Sequence, residues 1–176
     1  VETLNATKGT SAYLKAAATT DVNVSGITHA NAVVEVTGGK TVTVNHKMDS
    51  ATDQIDVNGA VNVNVTATDV INADGINVGT GANGAVTGAV KITSTGDALK
   101  GNDNGIVLDN ISVTGGTTVE ITQVAAASYG DSASKNTGGN DDVTQGNITV
   151  NATTDTTTGT IKQDAAVVAV KAAETT

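Results

Sequence analysis

Valine and isoleucine alternate with polar residues along most of the chain, as Val22/Val24, Val34/Val36, Val42/Val44, Ile55/Val57, Val61/Val63/Val65, Ile76/Val78, Val90/Ile92, Ile111/Val113, Val119/Ile121, Ile148/Val150 and Val168/Val170. A period of two over four to eight residues predicts a strand with one buried face. Gly, Asn, Asp and Thr fill the intervals, the residue types that turn a chain. Parity fixes what the turns can be. A two-residue hairpin around Gly38-Gly39 would oppose Glu35 to Val42 and put the valines of its two strands on opposite faces, because a shift of one residue reverses every side chain. If Val36 and Val42 instead share a buried face, Thr37-Gly38-Gly39 is either a wider hairpin or a corner between strands that do not pair. The same holds for Thr114-Gly115-Gly116, between Val113 and Val119.

The spacing of the rows favours the corner. Val34, Ile55 and Ile76 step by 21 residues, as do Val36, Val57 and Val78, while Val42/Val63, Val44/Val65 and Val1/Val22 keep the same step. Such a step predicts one coil of a parallel β-solenoid, in which each strand stacks on its equivalent in the next coil and small β-branched residues form apolar ladders. Farther on, Ile111 to Ile148 spans 37 residues and Ile148 to Val168 spans 20, with a Ser-, Gly-, Asn- and Asp-rich segment from Ser128 to Asp142 expected to bulge as a loop. The alternative is a tandem array of immunoglobulin-like β-sandwiches, whose short strands alternate in the same way.

An outer repeat overlies the inner one. The stretch Val34–Val44 returns as Ile111–Ile121, 77 residues later, and a second marker recurs as Leu14-Lys15, Val90-Lys91 and Val170-Lys171 at offsets of 76 and 80. These markers divide the chain into the end of a preceding repeat (1–13), a first β repeat (14–89), a second (90–169) and the start of another (170–176), as expected for a segment of a tandem array.

Composition sharpens the class. Val and Ile total 35 against four Leu, Thr adds 31, and Phe, Trp, Pro, Cys and Arg are absent from the 176 residues. The chain is all-β in character. Without large aromatic side chains a thick core is hard to fill, so a thin core of stacked Val and Ile is expected. The net charge of −9 and the lack of a basic, aromatic-studded surface argue against nucleic acid as a partner. No apolar run approaches the roughly 20 residues that span a bilayer.

Candidate chemistry is sparse. A carbohydrate-cleaving groove needs carboxylates with Arg and stacking aromatics, and here Arg is missing and Tyr13 and Tyr129 are isolated. His29 and His46 are expected in turns, without a carboxylate or Ser partner that recurs. Calcium is the one cofactor with a physical argument, since hard cations want several oxygens gathered by tight turns. Asp69 and Asp74, and Asp97 with Asp103 and Asp109, are the candidate ligands; the competing reading is that Asp and Asn occur there because turns favour them. Thr41 and Thr43 step to Asn62 and Asn64, which interrupts any regular threonine array. Six N-x-S/T sequons occur, at Asn5, Asn23, Asn64, Asn110, Asn147 and Asn151.

Val1-Glu2-Thr3-Leu4-Asn5, Asp21-Val22-Asn23-Val24-Ser25-Gly26 and the pattern V-x-V-T-G-G-x-T-V-x-[VI] resemble the Thr-, Val-, Asn- and Gly-rich repeats of bacterial surface-layer (S-layer) proteins and giant secreted adhesins. The resemblance implies an exported, extracellular protein on the bacterial cell surface, folded as a β-solenoid or a string of sandwiches, commonly assembled with calcium. The tandem nonapeptides of the calcium-binding type are not present. The expected function is that of a non-enzymatic structural segment that self-associates into a coat or filament, its partners being copies of itself. The alternative is the stalk or ligand-binding part of an adhesin, with cell-surface glycans as partners.

Overall fold

In the computed structural model, described for residues 2–27, 31–68, 70, 75–82, 84–97, 106–128 and 143–168, the chain is all-β and every strand pairing is parallel. Among the described residues there is no helix. Strands β1 (Thr3–Ala6), β3 (Asp21–Ser25), β5 (Thr41–Lys47), β7 (Asn62–Thr68), β9 (Ala89–Asp97), β12 (Thr118–Ser128) and β15 (Thr158–Val168) form a seven-stranded sheet in that spatial order. Strands β2 (Ala12–Ala16), β4 (Val33–Gly38), β6 (Gln54–Asn58), β8 (Gly75–Val78), β11 (Ile111–Thr114) and β14 (Ile148–Asn151) form a six-stranded sheet. The chain visits the two sheets alternately, advancing one strand at each visit. This is a parallel β-solenoid, and the tandem-sandwich alternative, which requires antiparallel pairing, does not describe it. A short pair, β10 (Ile106–Val107) on β13 (Val143–Thr144), joins the last two coils along a third side.

The 21-residue rows become ladders in the expected register. Val34 pairs with Ile55 and Ile55 with Ile76; Val36 with Val57 and Val57 with Val78; Val42 with Val63 and Val44 with Val65. All of these except Val65, at 2 %, have no exposed surface. Each such side chain contributes about 1.5–3 kcal/mol relative to its exposed state, and rows from both sheets meet in one continuous apolar core. That is how Val and Ile of modest size close a core without aromatics.

The Thr-Gly-Gly segments are corners. Gly38-Gly39-Lys40 carries the chain from the six-stranded sheet to the seven-stranded one, and Gly115-Gly116-Thr117 does so one coil before the last strand. Gly38 and Gly39 have φ of 81° and 107°, and a Cβ built on Gly38 would lie 2.0 Å from the carbonyl oxygen of Ala16 in the coil before. Only glycine satisfies both the left-handed backbone and the close approach. Corners also bond to corners: the Lys40 amide donates to the Thr20 carbonyl at 2.7 Å and the Val61 amide to Gly39 at 2.9 Å.

Four expectations are corrected. Val22 pairs with Leu4, a step of 18 residues, because the first coil has shorter connections than the next; Val1 lies outside the described residues. The second repeat marker joins non-equivalent places, since Leu14 sits in β2 of the six-stranded sheet and Val90 in β9 of the seven-stranded one. Ile111 does pair with Ile148 across the 37-residue step, but Val168 pairs with Ser128 in the opposite sheet, so Ile148 to Val168 is not a coil step. His46 is in strand β5 and is 3 % exposed, not in a turn. His29 and the segment 129–142 of the expected bulging loop lie outside the described residues.

Candidate functional site

The buried positions within the strands are apolar except along one row. In the seven-stranded sheet the third inward position after each pair of valines or isoleucines reads His46, Ala67, Ser94, Gln123 and Gln163, consecutive partners in the parallel ladder. His46, Ser94 and Gln123 are buried. The glutamines are satisfied: Gln123 Nε2 donates to the Asp109 carbonyl at 2.7 Å, and Gln163 Nε2 donates to Gln123 Oε1 and to the Gly146 carbonyl, each at 2.8 Å. They tie the seven-stranded sheet to the connections that cross the third side of the coil.

At the other end of the row the polar groups are left over. No hydrogen bond of normal geometry reaches either ring nitrogen of His46 or the Oγ of Ser94. Burial holds the His46 pKa below its ordinary value, against the opposing pull of the Asp53 carboxylate, the Ile27 backbone and Asp49. Asp53 is itself fully buried and accepts from the Ala32 amide at 2.7 Å and the Ser50 amide at 3.0 Å, which pins one turn of connection onto the coil before it. Sequence reasoning passed over Ser94, Gln123 and Asp53. The signal for the first two was parity: each stands two residues beyond an inward Ile, as His46 stands two beyond Val44.

The calcium candidates divide by position. Asp97 ends β9, and Asp109 is buried in the connection that leads into β11, its carbonyl packed so closely on Gly146 that a Cβ there would approach to 1.8 Å. Asp69, Asp74 and Asp103 lie outside the described residues. Among the described residues, no group of three or more His, Asp and Glu side chains is gathered closely enough to hold a metal ion.

The outer surface is threonine- and asparagine-rich. Outward positions of the seven-stranded sheet carry columns such as Asn5, Asn23, Thr43 and Asn64, or Asn45, Thr66, Thr93 and Thr122. Asn23 Nδ2 donates to Asn5 Oδ1 at 3.0 Å. The interruption of the threonine array is real: Thr41 and Thr43 pair with Asn62 and Asn64. Charge on this face is mostly paired, in Lys91–Glu120 at 3.1 Å and Lys162–Asp164 at 2.8 Å, both exposed and so of small energetic weight. No protein-family model, curated protein or solved structure matches the chain. The six sequon asparagines are all exposed, and Tyr13, 66 % exposed, stands alone on the outside of β2. No described helix is long and apolar enough to cross a membrane.

Proposed function

We propose that this chain is a structural segment of an extracellular coat or filament on a bacterial surface, a non-catalytic building block that associates with copies of itself. The observation that carries the reading is the uninterrupted pair of parallel ladders, which makes the described chain a stack of coils, each completed by its neighbours. Repeat stacks of this kind suit spacing and paving, because length grows by adding coils while the cross-section keeps the same packing. A surface rich in Thr and Asn, with its few ion pairs exposed, supports a hydrated outer position. The likeness of the repeats to surface-layer sequences supports the location and makes calcium the first cation to test.

Electron microscopy of the purified chain tests this reading. Sheets or filaments are expected, and their dispersal by a calcium chelator would bring the acidic residues into the assembly. Rods that stay monomeric at high concentration and bind a glycan would overturn it in favour of an adhesin segment.

A further inference from the structure

The polar row of the seven-stranded sheet changes character along its length. From Gln123 onward the amides are bonded, Gln123 to the Asp109 carbonyl and Gln163 to Gln123 and the Gly146 carbonyl. Earlier in the row stand His46, 3 % exposed, and Ser94, 0 % exposed, with Ala67 between them as the ladder partner of both. A neutral imidazole brings one donor and one acceptor, and a hydroxyl brings one donor and two acceptor lone pairs. Neither ring nitrogen of His46 nor the Oγ of Ser94 has a hydrogen-bond partner in the protein. Gln123 does not relieve Ser94, because its Nε2 is spent on Asp109 and its Oε1 receives Gln163. Buried polar groups are nearly always hydrogen-bonded, so three orphaned atoms in one short stretch of core call for a ligand.

The surroundings define its chemistry. The buried side chains that follow in the chain, Met48 after His46 and Val70 after Ala67, offer a thioether and hydrocarbon. The strand backbones are engaged in the parallel ladder. The row contains no carboxylate, and Asp53, the buried acid whose charge acts on His46, has its two oxygens bonded to the Ala32 and Ser50 amides. A hard cation would lack the anionic oxygens it needs. An anion would find no positive charge in the row, since burial works against protonation of His46. What fits is a small neutral molecule that both donates and accepts.

Spacing sets the number of such molecules. Neighbouring strands lie about 4.8 Å apart, so His46 and Ser94, two strands apart, are separated by about 9.6 Å at the backbone. That is too far for a direct bond between two inward side chains. Two water molecules, joined to each other and to the two side chains by three hydrogen bonds of about 2.8 Å each, span it. Ala67 and Ser94 make the room. Where the neighbouring row has Val65 and Ile92, this row has a methyl and a hydroxymethyl group, smaller by two heavy atoms at each rung, which is space on the order of one water per rung.

We infer that the core of the solenoid binds two water molecules over Ala67, bridging His46 to Ser94. They are structural ligands of the coil, held whether or not copies of the chain associate.

Oxygen-17 relaxation dispersion on the whole chain in solution counts long-lived internal water, with circular dichroism as a check of folding. Ser94→Ala removes one anchor without adding volume, and His46→Val combined with Ser94→Ala removes both. The count is expected to fall by about two molecules in the double variant and by about one or two in Ser94→Ala. Urea denaturation of the two single variants and the double variant gives the coupling. Because the two side chains share a ligand, the double variant's unfolding constant is expected to depart from the product of the single effects by about fivefold or more. Should the double variant not fold, Ser94→Ala together with Ala67→Val, which fills the space, carries the water count. A count that these variants leave unchanged would overturn the site. So would single effects that simply multiply, which would make His46 and Ser94 two separate buried groups.

Discussion

Gln163 and Gln123 are partners in the ladder between β15 and β12, the amide of Gln163 donating to the side-chain oxygen of Gln123 at 2.8 Å while the buried Gln123 donates onward to the Asp109 backbone at 2.7 Å. The buried amide of Gln123 is thereby satisfied, in the row that also holds His46 and Ser94. Replacing Gln123 with Ala removes both bonds and leaves a void in a fully buried position, so a loss of about 2–4 kcal/mol is expected. Urea denaturation measures it, and a loss below about 1 kcal/mol would show that this chain of bonds does not hold the third side of the coil.

Val57 sits between Val36 and Val78 in the six-stranded sheet and has no exposed surface. Val57→Asp puts an unpaired carboxylate into that ladder, at an expected cost of more than about 4 kcal/mol. Thermal unfolding followed by circular dichroism reads the outcome; an unchanged midpoint would contradict the assignment of this row to the interior.

His46 makes stability depend on pH. Its folded pKa lies below the ordinary value of 6.5, chiefly through burial, with Asp53 and Asp49 pulling the other way. The unfolded chain therefore binds a proton that the folded chain resists. Stability is full above pH 6.5 and falls as the pH drops through that value toward the folded pKa. His46→Val, a β-branched residue in a row of inward positions, is expected to abolish this part of the slope. Denaturation midpoints at closely spaced pH values from 7 down to 5 test it, and parallel curves for the two proteins would exclude His46 as the source.

The two glycine environments differ enough to be told apart by one substitution each. Gly38→Ala meets a left-handed backbone and the Ala16 carbonyl at 2.0 Å, and should cost at least about 1–3 kcal/mol. Gly159→Ala meets open space in an extended strand, and should leave stability unchanged or raise it by about 0.5–1 kcal/mol. Equal effects at the two positions would show that the corner does not depend on glycine.

Much of the fold was legible because one physical constraint repeats. Stacked parallel strands require the same inward residues at each coil, so a constant step of 21 through Val34, Ile55 and Ile76 was enough to give the register. The corners were legible from parity. What could not be read was which sheet a given Val-x-Val belongs to, since both sheets use the same pattern; Leu14 and Val90 match in sequence and lie in different sheets. The outer repeat has a structural meaning only in part: Val34 and Ile111 are three coils apart in one sheet, through steps of 21, 21 and 35 residues. The polar row was hidden because inward polar residues break the alternation that reveals a strand. Of the calcium candidates, sequence spacing alone grouped Asp97 with Asp109, and the fold adds that Asp109 is buried beside Gly146.

The strands of the broader sheet lengthen along the stack, from four residues in β1 through seven in β5 to eleven in β12 and β15. Under tension such a molecule has a weak end and a strong one. A pull along the stack would open the four-residue pairing of β1 on β3 more easily than the eleven rungs between β12 and β15, so loss of coils would begin from the β1 end.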